Sequence, residues 1–183
     1  MMSRNIPARF RKIEVAVLLR SFSRAFGVEA PSLRGQSAHQ ALLTYREFTA
    51  ACMELAQRDE KVAEFLRARL GDEAQALGRR VRRLVPGAAA RPLELTQYLY
   101  RGIGIGLTGE IPGEVRFAPC AFAARYTPED CWFMSAFDEG FIRGISGLAD
   151  ANLTFTCRLT QGDSYCLACF YQQSHNLEAD DGH

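Results

Sequence analysis

Leu153-Thr154-Phe155-Thr156-Cys157-Arg158-Leu159-Thr160, then Gln161-Gly162-Asp163, then Tyr165-Cys166-Leu167-Ala168-Cys169-Phe170-Tyr171-Gln172 is the stretch that decides the fold. Leu153, Phe155, Cys157 and Leu159 alternate with Thr154, Thr156, Arg158 and Thr160, the period of a half-buried strand. Gln161-Gly162-Asp163 turns the chain back into a second strand over 165–172, making a hairpin. Just upstream, Thr127-Pro128-Glu129-Asp130 is a helix start: Thr as N-cap, Pro at the first position, two acids against the positive helix end. That helix is expected to run to about Ser146, with Phe133, Phe137 and Phe141 as its core face.

Further upstream the chain reads helical. Ile6, Phe10, Ile13, Val17, Phe22 and Phe26 form one stripe that ends at Gly27 and Pro31. Ser37 with Gln40 is a capping box, followed by Leu42, Tyr45, Phe48, Cys52 and Leu55 on one face. Asp59 caps a third helix with Val62, Phe65, Leu66 and Leu70 inside, and Gly71-Asp72 is expected to break it. Leu77, Val81 and Leu84 carry the stripe on to Pro86-Gly87. Arg101–Thr108 and Glu114–Ala118 read as strands around an Ile111-Pro112-Gly113 turn. Helices first and antiparallel strands afterwards predict an α+β fold, a helical N-terminal half followed by an antiparallel sheet packed on helices. The expected organisation is one domain over 1–183: a helical part at 1–86, a cysteine-rich α+β part at 92–173, and a flexible polar tail at 174–183.

Composition narrows the function classes. The 183 residues are 48% hydrophobic and 23% charged, with a formal net charge of +1, which gives no electrostatic reason for a nucleic-acid or membrane partner. No apolar run approaches the roughly 20 residues of a membrane span. The N-terminus reads as no secretory signal, so a cytoplasmic location with reduced thiols is expected. Five of the six cysteines, Cys120, Cys131, Cys157, Cys166 and Cys169, crowd into 120–169, and Cys52 stands apart. In a reducing compartment such a cluster points to catalysis, ligand binding or metal rather than disulfides.

Several motifs resolve into ordinary structure. Gly104-x-Gly106-x-x-Gly109 matches a dinucleotide fingerprint on paper, but Pro112-Gly113 and a strand follow where a helix should open, so a Gly-rich strand packed closely by a neighbour is favoured. Arg79, Arg80, Arg82 and Arg83 fit the negative end of their helix. Of the histidines, His39 sits in a helix's first turn, and His175 and His183 lie in the tail. Cys166 and Cys169 are three apart on a strand and point to opposite faces. Cys166 should face Cys120 and Cys131, between sheet and capped helix, and Cys169 should face away. Cys131, Ser135 and Asp138 share a stripe of that helix, and the seven-residue step aligns Cys131 with Asp138. If Asp138 is buried its pKa rises toward acid-base use; otherwise it is a solvated acid, as Glu139 with Arg143 is read to be a surface pair. A short helix opening after Cys120 would lower that thiol's pKa.

The series Cys120-x10-Cys131-x6-Asp138, the strand at 153–159, and Gly162-Asp163-x-x-Cys166-x-x-x-Phe170 resembles the L-2-aminothiazoline-4-carboxylate hydrolase family. The hairpin also resembles the 4-vinyl-reductase domain, a small-molecule-binding module related to the fold of TRAPP-type Golgi-transport subunits. The architecture of residues 10–172 is covered, with the recognisable motifs in 117–170. Pro119 before Cys120 and Ala121 after it depart from the family's Cys-Pro, and Cys157 and Cys169 are additional thiols. The resemblance implies hydrolytic opening of a cyclic amidine-like thiazoline, and carries over the positions Cys120, Cys131, Asp138 and Cys166. Chemically, Cys120 or Cys166 would serve as nucleophile and Asp138 would move protons, with Cys131 and Ser135 binding substrate. A small-molecule substrate without cofactor is expected, and a homodimer stays open. The alternatives are a non-catalytic binding or sensor domain, and a zinc or iron–sulfur site on Cys120, Cys131 and Cys166, completed by Asp138 or water.

Overall fold

The computed structural model describes residues 6–172. Five helices, α1 (Ala8–Phe26), α2 (Ala38–Ala56), α3 (Glu60–Leu84), α4 (Pro92–Gly102) and α5 (Pro128–Ser146), accompany four strands, β1 (Ile105–Gly109), β2 (Gly113–Cys120), β3 (Ala151–Cys157) and β4 (Cys166–Gln172). The fold is α+β. The strands form one antiparallel sheet in the order β1-β2-β4-β3. Its inner face buries Leu107, Val115, Phe117, Leu153, Ala168 and Phe170, while Glu114, Arg116, Thr154 and Tyr171 stand exposed on the other. One apolar core runs from Val15 of α1 to Phe170 of β4 and joins the helical part to the sheet. No described helix is long and apolar enough to cross a membrane.

The caps form where local chemistry asks for them. Ser37 and Gln40 make both bonds of the capping box that starts α2, and the Asp59 side chain accepts from Lys61 and Val62 at the start of α3. Thr127 accepts from the Asp130 amide while the Asp130 side chain accepts from the Thr127 amide. Each such cap contributes about 1 kcal/mol. Gly27 and Gly147 close α1 and α5 in the left-handed conformation, with φ of 68° and 82°.

Four local expectations change. The segment expected to begin a strand at Arg101 is the end of α4; Pro92 starts this helix, which buries Thr96 and Tyr100, and β1 begins only at Ile105. α3 runs unbroken through Gly71-Asp72. Gly71 and Gly78 face Gly140 and Gly144 of α5, and the two backbones meet with no side chain between them. The expected faces of α2 and α3 are also displaced. Ala41, Tyr45, Thr49, Met53 and Ala56 are buried while Leu55 is exposed, and Ala63 and Leu70 are buried while Val62 and Phe65 are exposed. Along α3, packing against α5 puts Gly71 and Gly78 at the contact in place of large apolar residues. Glu139 and Arg143 are ion-paired but partly buried, and Arg143 also donates to the Ala151 carbonyl and, at 2.8 Å, to Asn152, which ties α5 to β3. The expected tail at 174–183, with His175 and His183, lies outside the described residues.

The Gly104–Gly109 run behaves as a closely packed strand. A Cβ at Gly106 would stand 2.9 Å from Pro119 Cδ and closer still to the Ala118 carbonyl. Lacking one, β1 lies tight against the end of β2 that carries Cys120, which pairs with Ile105.

Candidate functional site

The inner face of the sheet, α5 and α4 enclose a cavity of about 70 Å³. Cys120 from β2, Cys131 and Asp138 from α5, and Cys166 from β4 all line it, together with Tyr45, Tyr100, Tyr126, Phe117, Phe155 and Arg158. The structure therefore brings four of the five sequence-derived site residues together. Strand period explains Cys166: it pairs with Phe117 and lies on the buried side with Ala168 and Phe170, whereas Cys169 sits opposite Glu114 and Thr154 and does not line the cavity. All six cysteines are free thiols.

Ser135 is elsewhere. Its hydroxyl donates to the Trp132 carbonyl at 2.6 Å and accepts from Arg67 of α3 at 3.3 Å. At 100° per residue Ser135 lies about 60° around the helix from Asp138, enough to place it on the α3 side. Cys157, one of the additional thiols, does not line the cavity either. A register shift between Phe155 and Cys157 rotates the strand end, so that Cys157 donates to the Tyr165 carbonyl at 3.5 Å. The same irregularity swings Arg158, which pure alternation placed on the outer face, toward the cavity. There its guanidinium stacks 4.3 Å from the Phe155 ring centre and donates to the Cys131 carbonyl at 3.1 Å.

Asp138 is no solvated acid. The Tyr100 hydroxyl donates to its Oδ1 at 2.6 Å. Burial pushes its pKa up to about 6, against the opposing pull of the Tyr100 bond and the Arg158 charge. At neutral pH it is a carboxylate poised close to its own pKa, the condition general acid-base chemistry needs. The thiols are held protonated. Burial pushes Cys120 up although the Phe122 and Ala123 amides pull it down. Those amides belong to a hydrogen-bonded turn over Ala121–Arg125 rather than a helix. Burial lifts Cys131 to about 11. It also lifts Cys166, whose sulfur accepts from the Leu159 amide at 3.3 Å and feels the Arg158 charge. Cys120 and Cys166 are thus the two thiols for which the protein supplies amide donors that would stabilise a thiolate.

Tyr100 and Arg158 carry no motif. Tyr100 falls in a helix that the Gly-rich sequence after it obscures, and an Arg standing alone among threonines in a strand was the one available signal for Arg158. His39 is exposed in the first turn of α2 and does not line the thiol cavity. Among the described residues, no group of three His, Cys, Asp or Glu side chains is placed to hold a metal ion. No protein-family model, curated protein or solved structure matches the chain.

Proposed function

We propose that the protein is a hydrolase that opens a small cyclic amidine of the 2-aminothiazoline-4-carboxylate type. The observation that carries this reading is the convergence of Cys120, Cys166 and a near-neutral Asp138 on one small cavity beside a single cation, Arg158. Arg158 anchors the substrate carboxylate, and the aromatic walls Phe117 and Phe155 flank the ring. As the sulfur of Cys120 or Cys166 adds to the ring carbon, the thiol proton passes through Asp138 to the ring nitrogen. Collapse breaks the ring carbon–sulfur bond, and the proton ends on the departing sulfur. Water then adds to the resulting isothiourea carbon and expels the enzyme thiol, leaving a ring-opened urea; the net change is addition of one water. The reduced thiols this chemistry needs fit a cytoplasmic setting. The same proposal places the fold beside the 4-vinyl-reductase and TRAPP-type domains. It is supported by the helical first half, the antiparallel sheet and the Gly162-Asp163-x-x-Cys166 hairpin.

Cys120→Ala, Cys166→Ala and Asp138→Ala are each expected to lower turnover of 2-aminothiazoline-4-carboxylate by at least about 100-fold, the usual yield of a nucleophile or proton-transfer group. Turnover unchanged in all three ends the proposal. Arg158→Gln should raise KM for the carboxylate about tenfold or more while leaving kcat near its wild-type value, the signature of lost ground-state binding. It should not affect 2-aminothiazoline without the carboxylate. A kcat loss with unchanged KM would assign Arg158 to the chemistry instead.

One observation favours a second reading, a binding or sensor domain: burial keeps all three cavity thiols protonated. Native mass spectrometry separates the two readings. A retained apolar ligand, with no thiazoline hydrolysed, favours the sensor.

A further inference from the structure

A second cavity lies among α1, α3, α4 and α5, divided from the thiol cavity by Leu18, Tyr100, Ile103 and Phe137. At about 250 Å³ it is larger, and it exceeds the roughly 150 Å³ that accommodates benzene in an engineered core. Its walls are apolar throughout except for one carboxyl group and two tyrosines, Glu14, Tyr98 and Tyr100. Phe10, Ile13 and Tyr98 at its edge are 48%, 57% and 46% exposed, an unusual cost for large apolar side chains around an opening.

Glu14 sits in this wall in a way that folding alone does not reward. Its carboxyl lies over Gly102, where a Cβ would stand 2.8 Å from Glu14 Cδ. Gly102 is the last residue of α4, so the carboxyl meets the negative end of that helix, where a cation is preferred. Among the described residues it has neither a hydrogen-bond donor nor an ion-pair partner, although other acids of the chain do. Arg11, one turn away on α1, is the charged group that acts on it, and it lies beyond ion-pair distance. α3 and α5 present only Leu77, Val81, Phe137 and Phe141, and α4 presents Tyr98, Leu99 and Tyr100, whose hydroxyl is committed to Asp138.

We propose that this cavity is a second binding site, for an organic ammonium ion with a compact apolar body, the cation on Glu14 and the body against Phe10, Val17, Tyr98 and Phe141. The ionised Glu14 carboxylate and the helix C-terminus offer acceptors and negative charge, and the Tyr98 hydroxyl at the edge can donate but carries no charge. An ammonium group matches both the acceptors and the charge, an alcohol matches only the acceptors, and a carboxylate ligand is repelled. The proposal does not depend on the thiol chemistry. It has a pH signature as well. Burial lifts Glu14 to about 8, against the opposing pull of Arg11. The complex needs the ionised form, so below that value ammonium binding must displace a proton, and its affinity rises about tenfold for each unit the pH climbs toward 8.

Calorimetry on the full chain with 2-phenylethylamine, 2-phenylethanol and 3-phenylpropionate tests this, with amide chemical shifts locating the site. At pH 8 the amine should bind at least about tenfold more tightly than the alcohol and the carboxylate should not bind, with shifts at Leu99 and Gly102. Its affinity should rise about tenfold from pH 6 to pH 7. Glu14→Gln should bring amine and alcohol within about twofold of each other and keep the alcohol's affinity, which shows that the cavity itself survives. No saturable amine binding, equal affinity for amine and alcohol in the wild type, an unaffected Glu14→Gln variant, or shifts confined to Asp138 and Cys166 would each overturn the assignment.

Discussion

Asp138→Asn should make the protein more stable at pH 8 by about 2 kcal/mol and, under the proposed chemistry, at least about 100-fold slower. The two effects have one origin. Burial raises the carboxyl from an ordinary Asp value of 3.8 to about 6. Between these two values the folded state holds a proton that the unfolded state has released, so stability falls as pH rises through this window. Below pH 3.8 both states are protonated at this site and nothing is lost. Above 6 the full cost of a buried carboxylate is present, about 3 kcal/mol for a shift of this size and nearer 2 once the part of Asp138 that faces the cavity is hydrated. Asn keeps the acceptor for the Tyr100 hydroxyl and carries no charge. Denaturant melts at pH 4 and pH 8 check the claim: wild type and variant should converge at pH 4 and separate at pH 8. Equal stability at both would mean that Asp138 is not desolvated.

Gly140→Ala should destabilise the fold by about 3 kcal/mol, and Gly71→Ala should not destabilise it. The residues face one another across the α3–α5 contact, yet their surroundings differ. A Cβ at Gly140 would stand 2.9 Å from the Gly71 carbonyl carbon and nearer still to its oxygen, so two backbones would have to part. A Cβ at Gly71 would meet the Ala136 carbonyl oxygen at 3.4 Å, an ordinary contact. Alanine's helix propensity returns about 1 kcal/mol in both cases. At Gly140 this is outweighed by overpacking that nothing flexible can relieve, and at Gly71 it stands alone. Thermal melts should show Tm falling by roughly 6–12 °C for the first variant and holding or rising for the second. A harmless Gly140→Ala would mean that the helices sit farther apart than described.

Sequence carried the elements whose signals are local. α5 was legible because Thr127, Pro128 and Asp130 act within one turn and its phenylalanines repeat every four residues. β4 was legible because one register decides which of Cys166 and Cys169 turns inward. What escaped depends on partners distant in the chain. Gly71 reads as a breaker by propensity, and only the facing Gly140 shows it to be a contact. Arg158 is outward by alternation, and the shift in pairing between β3 and β4 reverses it. Ser135 seemed to share a stripe with Cys131 and Asp138, and the width of a helix face set it apart. Asp138 could be aligned with Cys131 by counting, but the Tyr100 hydroxyl that holds it comes from 38 residues upstream.

The glycine seam between α3 and α5 also decides how the thiol cavity can deform. Side chains between helices act as bearings: they change rotamer and let one helix slide over another. Here Gly71, Gly78, Gly140 and Gly144 remove the bearings, and carbonyl oxygens lie against α-carbons. Asp138 rides on the stiff member of this pair, two residues from Gly140. Compliance must therefore come from the opposite wall, where Arg158 and the 158–165 connection join β3 to β4. Under the proposed chemistry, a substrate is expected to enter by displacing that wall, while the carboxyl group it meets stays fixed.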